Sequence, residues 1–132
     1  MSTPPAMWTG GPILVIEDEP SVIAFLHAAL ERKGYAVVNA SSGAEGLQRL
    51  SKERYAGVIS DIRMPGAVNG AEVHAWIQKN RPELSRRIIL ISGDTANSDT
   101  QAFLAQSGTP CIEKPFRVQQ LISIVEKTFG KP

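Results

Sequence analysis

Residues 13–20 read Ile-Leu-Val-Ile-Glu-Asp-Glu-Pro, an apolar run that passes directly into three acids and a proline. Four consecutive apolar residues without alternation are typical of a strand that is covered on both faces, as the strands of parallel sheets are. After Pro20, apolar residues recur at helical spacing as far as Leu30, and Gly34 follows. Proline suits a first helical turn, because its missing N–H has no partner there anyway. The stretch therefore predicts a strand, an acidic turn and a helix.

The same alternation of an apolar run with a helical pattern continues along the chain. Further strands are predicted at residues 35–38, 57–60, 88–91 and 111–112. Further helices are predicted from near Ser42, around Val73 and ending before Pro82, from near Ala96, and from Val118 to Phe129. Right-handed crossovers between parallel strands fold five such units into an open α/β sandwich with helices on both faces. Ligands of such folds bind beyond the carboxyl ends of the strands.

Composition limits the class of protein. A chain of 132 residues with 42% hydrophobic residues suffices for one core, which we assign to residues 12–130. Residues 1–11, rich in Pro, Gly, Ser and Thr, are predicted to be a flexible leader. A net charge of +1 provides no strong field for nucleic acid or an anionic membrane, so neither is expected as a partner.

Cysteine content and hydropathy point to a cytoplasmic location. The single cysteine, Cys111, cannot form an internal disulfide, and the N-terminus lacks the features of a signal peptide. Apolar runs such as residues 13–16 and 88–91 are far shorter than the roughly 20 residues that span a bilayer. A reducing cytoplasm fits these features best.

Charged and polar side chains follow the predicted strands at their carboxyl ends. They are Glu17, Asp18 and Glu19 after the first strand, Asp61 after the third, Ser92 after the fourth and Lys114 after the fifth. The fold is expected to gather them at one edge of the sheet. Two carboxylates about 4 Å apart repel by roughly 4 kcal/mol at an effective dielectric constant of 20, so the group needs a cation. Mg²⁺, which prefers oxygen ligands, is the expected ion.

This set of groups fits phosphoryl transfer to a carboxylate. With the metal ion bound, Asp61 can attack a phosphorus atom and form an acyl phosphate. The charge on the transferred oxygens would be met by the ion, by the ammonium of Lys114 and by the hydroxyl of Ser92. In isolation each residue has a plainer interpretation, as a solvated turn, a helix cap or a surface charge. Their joint occurrence favours the site.

Four segments of the sequence resemble the signature blocks of response-regulator receiver domains, which act in two-component signalling. They are residues 13–19, Asp61-Ile-Arg-Met-Pro65, Ser92-Gly93 and Lys114-Pro115-Phe116. The likeness covers nearly everything from Pro12 to Phe129, and four blocks in order at strand ends are far more specific than one. It implies a flavodoxin-like sheet of strand order 2-1-3-4-5. It also implies a histidine kinase or histidine phosphotransfer protein as the phosphoryl donor, and a downstream protein partner.

The resemblance also implies roles for single residues. Asp61 is expected to be the phosphoacceptor, Asp18 a direct magnesium ligand, and Glu17 a ligand that acts mostly through water. The backbone carbonyl of Arg63 would complete the protein ligands of the metal. The domain would be a signalling switch rather than an enzyme, with self-phosphorylation and slow self-dephosphorylation.

The resemblance assigns the remaining groups to the switch. Ser92 would be the switch hydroxyl and Lys114 the contact to the phosphoryl group, with a cis peptide bond before Pro115. Three residues before the lysine the family usually carries Tyr or Phe, whereas this sequence has Cys111, which we assign to packing. The loop from residue 65 to 70 is one residue longer than in many stand-alone receivers, which resembles receivers of hybrid sensor kinases.

Three other functions share parts of this pattern. A flavodoxin-like electron carrier needs a phosphate loop after the first strand that offers N–H donors, whereas this loop is acidic. An aspartate-dependent phosphatase usually has two aspartates two residues apart, whereas Arg63 stands two residues after Asp61. A binding module that keeps the fold without phosphorylation stays open, although all the key groups are retained.

Overall fold

The computed structural model describes residues 7–63, 66 and 68–132. The strands are β1 Ile13–Ile16, β2 Val37–Ala40, β3 Gly57–Asp61, β4 Ile88–Ser92 and β5 Cys111–Glu113. The helices are α1 Pro20–Arg32, α2 Gly43–Lys52, α3 Gly70–Asn80, α4 Ser98–Ser107 and α5 Val118–Phe129, with one 3₁₀ turn at Pro82–Leu84. The strands form one parallel sheet in the order β2-β1-β3-β4-β5. This order confirms the predicted fold.

The sheet is covered on both faces, as its continuous apolar strands predict. All residues of β1, β3 and β4 are buried. Side chains alternate along a strand, so Ile13 and Val15 belong to one apolar cluster, with buried residues of α1 and α5. Leu14 and Ile16 belong to the other, with buried residues of α2 and α3. The central strands are thereby fixed from both sides, and their carboxyl ends are held in register.

Three helices start at side chains that accept backbone N–H groups. Ser42 accepts from the N–H of Glu45, so α2 begins where the sequence predicts. Asn69 performs the same role for α3. Asn97 accepts two such bonds at the start of α4, which therefore begins at Ser98 rather than near Ala96. Each cap satisfies N–H groups that have no partner within the helix.

The second strand lies two residues further along the chain than predicted. Its register pairs Val37 with Ile13 of β1, and Tyr35 precedes it. Tyr35 is buried because its hydroxyl donates to the carbonyl oxygen of Gly130 at 2.7 Å and its ring contacts that of Trp8 edge-on, with 5.0 Å between centroids. Tyr35 is therefore buried by its contacts with Gly130 and Trp8 and not by membership of a strand.

The structure describes the N-terminal segment from Met7 onwards. Residues 1–6 lie outside the described residues, so the predicted flexible leader over residues 1–11 stays a prediction, although Trp8 packs against the core. Within the described part of the chain, every helix is too short or too polar to cross a bilayer.

Candidate functional site

The carboxyl edge of the sheet brings together groups that are far apart in sequence. Asp61 is the last residue of β3 and pairs with Ile91, while Ser92 ends β4 and pairs with Glu113. The backbone N–H of Lys114 donates to the carbonyl oxygen of Ser92 at 2.8 Å and so fixes the start of the next loop. The parallel ladder therefore places the predicted phosphoacceptor, hydroxyl and ammonium at neighbouring strand ends.

Lys114 is the centre of this edge. Its Nζ lies 2.7 Å from Oδ2 of Asp61, 3.4 Å from Oε2 of Glu17 and 3.4 Å from Oε1 of Glu19. Only 18% of its side chain is exposed. Burial opposes the charge on the ammonium, but the contacts with the three acids outweigh it and raise the pKa of Lys114. One cation thus neutralises part of the charge of three carboxylates.

Glu17 is fully buried, which is unusual for an ionisable side chain. Its Oε1 accepts the backbone N–H groups of Asp18 and Glu19 at 3.2 and 3.1 Å. Its Oε2 makes no hydrogen bond within the described residues and has only the ion pair with Lys114. Burial, with Asp61 adding to it, raises the pKa of Glu17 to about 7, although the Glu19 N–H and Lys114 counteract the shift. The carboxylate is therefore short of positive partners.

Among the described residues, one acidic group could hold a metal ion. It consists of Glu17, Glu19 and Asp61, each offering a carboxylate oxygen, and these atoms lie within 4.8 Å of one another. Asp18, the predicted direct ligand, is exposed and is not in this group. Glu19 was expected at this edge, but no role as a metal ligand was predicted for it. Three clustered carboxylates, one with a buried unbonded oxygen, fit a hard cation such as Mg²⁺.

The loop after β3 is tied to Asp61. The backbone N–H of Arg63 donates to Oδ1 of Asp61 at 3.0 Å, and the Arg63 side chain pairs with Asp94 at 3.4 Å. Gly70 starts α3 so close to β3 that a Cβ there would lie 2.6 Å from the carbonyl oxygen of Asp61. Met64 and Pro65, part of the quoted motif, lie outside the described residues, as does part of the loop predicted to be long.

Ser92 is buried, and its hydroxyl oxygen accepts the backbone N–H of Asp94 at 3.1 Å. Its side chain thus bonds to its own loop rather than to Asp61 in this structure. The peptide bond between Lys114 and Pro115 is cis, as the resemblance implies. Cys111 is half-buried and packs, as Phe103 and Leu104 do, against the apolar cluster that contains Leu14 and Ile16. Burial raises the pKa of its thiol, which fits the packing role assigned to it.

Comparisons of sequence and fold place this chain among known proteins. The family model of the response regulator receiver domain matches residues 13–126. The transcriptional regulatory protein GlrR of Escherichia coli K12 is 32% identical over 114 residues, which cover 86% of this chain and 25% of that protein. The response regulator receiver protein CpdR of Brucella abortus is 31% identical over 115 residues, covering 87% of this chain and 93% of that protein. The chain thus spans about a quarter of one relative and nearly all of the other.

One solved structure is similar to this chain over almost the entire length of both. It is the receiver domain of a sensor histidine kinase from Pseudomonas aeruginosa PAO1, with a magnesium ion coordinated in its active-site cleft. The sequence identity is 25%, the TM-score is 0.80, and the match covers 93% of this chain and all of that one. The family model, the relatives and the fold all indicate the same family. This chain belongs to the response regulator receiver domain family and is a receiver domain of a two-component system.

Proposed function

We propose that Asp61 accepts a phosphoryl group from a phosphohistidine of a histidine kinase or histidine phosphotransfer protein, in the cytoplasm. The proposal rests on the 2.7 Å contact between Lys114 Nζ and Asp61 Oδ2 at the carboxyl edge, with Glu17 and Glu19 around the same ammonium. Such a contact places a cation where the oxygens of a phosphoryl group would lie.

The metal site of the proposal consists of Glu17, Asp18, Asp61 and the backbone carbonyl of Arg63, with Mg²⁺ as the ion. The structure supports Glu17 and Asp61 by their closeness, and it adds Glu19 as a candidate. When bound, Mg²⁺ would neutralise charge on the carboxylates and on the phosphoryl oxygens. Asp18 would need to turn inward from its exposed position to take part.

Asp61, Lys114 and Arg63 would each have a separate role in phosphoryl transfer. A carboxylate oxygen of Asp61 forms the new bond to phosphorus while the bond from phosphorus to the donor's imidazole nitrogen breaks, and that nitrogen keeps the electron pair. Lys114 would exchange its contact with Asp61 for one with a phosphoryl oxygen. The N–H of Arg63, which already holds Asp61 Oδ1, keeps the carboxylate in place during the attack.

The test of this reaction is the intact mass of the protein after treatment with acetyl phosphate and Mg²⁺. Wild type should gain one phosphoryl adduct and Asp61→Asn none, because the amide is not a nucleophile of this kind. Asp99→Asn, which changes an aspartate in the first turn of α4, is the matched control and should be modified like wild type. An adduct on Asp61→Asn, or none on wild type, would contradict the proposal.

Phosphorylation is further proposed to draw the Ser92 hydroxyl towards the phosphoryl oxygens. Its present bond with the Asp94 N–H would then be exchanged, which moves the loop that leads to α4. The surface formed by α4, β5 and α5 would bind the downstream protein differently in the two states. Backbone amide shifts over residues 93–106 should change on adding beryllofluoride with Mg²⁺. Changes confined to Glu17, Asp61 and their neighbours would contradict this step.

The phosphorylated domain should lose its phosphoryl group slowly by itself, because water can reach the same edge. Arg63 and Asp94 flank the entrance, and their side chains are 61% and 48% exposed. Replacing either is expected to alter the half-life of the adduct. An unchanged half-life in both Arg63→Ala and Asp94→Ala would show that these side chains do not control the access of water.

A further inference from the structure

The amino-terminal edge of the sheet holds a second group of charged side chains, around a cavity of about 570 Å³. Three arginines line this cavity, Arg54, Arg81 and Arg87, together with one acid, Glu83. Arg87 directly precedes β4 and Ser92 is the last of its five residues, so the two lie about 16 Å apart at roughly 3.3 Å per residue. The cavity is therefore distinct from the phosphoacceptor edge.

Arg87 carries a charge that no carboxylate neutralises within the described residues. Its guanidinium donates from Nε to the carbonyl oxygen of Ala56 and from Nη2 to that of Phe129, the latter at 2.6 Å. It also lies 6.0 Å from the centre of the Phe129 ring. Burial lowers the pKa of Arg87, yet a guanidinium stays protonated near neutral pH. A half-buried positive charge is left with neutral partners alone.

Arg81 is arranged in the same way. Its Nε donates to the carbonyl oxygen of Leu50 at 2.8 Å and its Nη2 to that of Glu53. Within the part of the chain that the structure describes, its one acidic contact is Glu83, at 3.8 Å, and that carboxylate is 58% exposed. Residues 1–6 contain neither Asp nor Glu, so the N-terminal segment supplies no further carboxylate side chain. The three arginines thus outweigh the single acid that lines the cavity.

We propose that this cavity binds the phosphate group of a small organic phosphate. Guanidinium groups match phosphate oxygens in geometry, and backbone carbonyls already hold those of Arg81 and Arg87 in place. A volume of about 570 Å³ lies in the range of small-molecule sites and exceeds what a lone phosphate ion fills. Tyr55 and Leu84, which also line the cavity, offer an apolar wall for the organic part.

The test is a titration of the full chain followed by two-dimensional ¹H–¹⁵N NMR, without Mg²⁺ and at constant ionic strength. Adenosine 5′-monophosphate is the probe, with inorganic phosphate and adenosine in separate titrations. The monophosphate should give saturating shifts at Gly10, Gly11 and Leu84, inorganic phosphate weaker ones, and adenosine none. No saturating shift at this edge by about 10 mM, a binding free energy of only ~2.7 kcal/mol, would overturn the proposal.

Two arginine variants distinguish binding in the cavity from a general attraction of phosphate to positive charge. Arg54 is exposed, so Arg54→Gln should leave the fold intact and weaken binding of the monophosphate about tenfold. Arg86→Gln, which removes an exposed arginine that does not line the cavity, should leave the affinity unchanged. Equal weakening in both would overturn the proposal.

A third variant locates the binding site. In Asp61→Asn the shifts at Gly10 and Gly11 should be the same as in wild type, because the carboxyl edge takes no part. If that substitution abolished them, the phosphate would be binding at the phosphoacceptor edge, and the cavity would be refuted as its site. Failure of this titration would leave the phosphorylation of Asp61 untouched, since the two edges are tested by different measurements.

Discussion

The two edges of the sheet both collect charge, but they satisfy it differently. At the carboxyl edge one ammonium, that of Lys114, faces three carboxylates at 2.7 to 3.4 Å. At the amino edge, the guanidiniums of Arg81 and Arg87 each donate to two backbone carbonyl oxygens. The first edge is short of positive charge and suits a cation and a reaction. At the second edge the arginines link separate segments of the chain through backbone carbonyls, and because those partners are neutral the positive charge is not cancelled.

Removing the ammonium of Lys114 should have the largest of the effects that distinguish the two edges. Lys114→Met should slow adduct formation from acetyl phosphate by about 10²- to 10³-fold, the effect of losing one charge-stabilising donor in an active site. Intact mass against time measures the rate. Lys127→Met, which changes an exposed lysine on α5, should react like wild type. A rate in Lys114→Met within a factor of two of wild type would contradict the role given to this edge.

The buried carboxyl group of Glu17 should make the metal-free domain less stable as the pH rises. Glu17 has a pKa of about 7 in the fold against 4.5 as its ordinary value, so between these values the native state binds more protons than the unfolded chain. Stability should then fall by up to about 3 kcal/mol from pH 5 to pH 8. Urea unfolding in a chelating buffer measures this.

The control for this pH dependence is Glu17→Gln, which cannot ionise. Its stability should change less over the same range, and the difference from wild type should be greatest near pH 8. Mg²⁺ should reduce the loss in wild type, because it favours the ionised acids. If Glu17→Gln and wild type lost stability in parallel, the buried carboxyl group of Glu17 would not be the source of the pH dependence.

Two glycines allow a matched comparison of the edges. A Cβ at Gly70 would lie 2.6 Å from the carbonyl oxygen of Asp61, and one at Gly57 would lie 2.5 Å from the Phe129 ring. Alanine at either should destabilise the domain by about 1–3 kcal/mol, because the core must shift. Only Gly70→Ala should also slow adduct formation, since it displaces Asp61. Urea unfolding and intact mass together check this, and equal slowing in both variants would contradict it.

The smallest effect is expected for the ion pair at the mouth of the carboxyl edge. Arg63 and Asp94 are half-exposed, so Arg63→Ala should change the free energy of unfolding by no more than about 0.5 kcal/mol. Thermal or urea unfolding of the variant measures it. A loss several times larger would mean that this pair holds the two loops together rather than lining the entrance.

The sequence predicts the order of elements because continuous apolar runs and helical spacing both report burial. It also predicts the edge where the site lies, since parallel strands end on the same side. It does not fix hydrogen-bond register, which is why the apolar run that begins at Tyr35 predicts β2 two residues too early.

Side-chain direction at the end of β1 explains why Glu19, rather than Asp18, lies beside Glu17 and Asp61. Along an extended chain, residues two apart share a side, which groups Glu17 with Glu19 and separates both from Asp18. The structure shows this grouping, whereas the family resemblance pointed to Asp18. Alternation along the strand was the signal that would have indicated Glu19. The contact between Trp8 and Tyr35 could not be predicted in this way, because no periodicity in the sequence relates the N-terminal segment to the residues before β2.

The position of Lys114 makes it a competitor for the ion that the acids are expected to hold. Its ammonium shares the oxygens of Asp61, Glu17 and Glu19, so a divalent cation must divide those oxygens with it. Affinity for the ion and reactivity of Asp61 would then respond in opposite directions to loss of the lysine. Lys114→Met should therefore bind Mg²⁺ more tightly than wild type while it accepts the phosphoryl group more slowly, because the ammonium acts both as a counterion of the acids and as a contact for the transferred group.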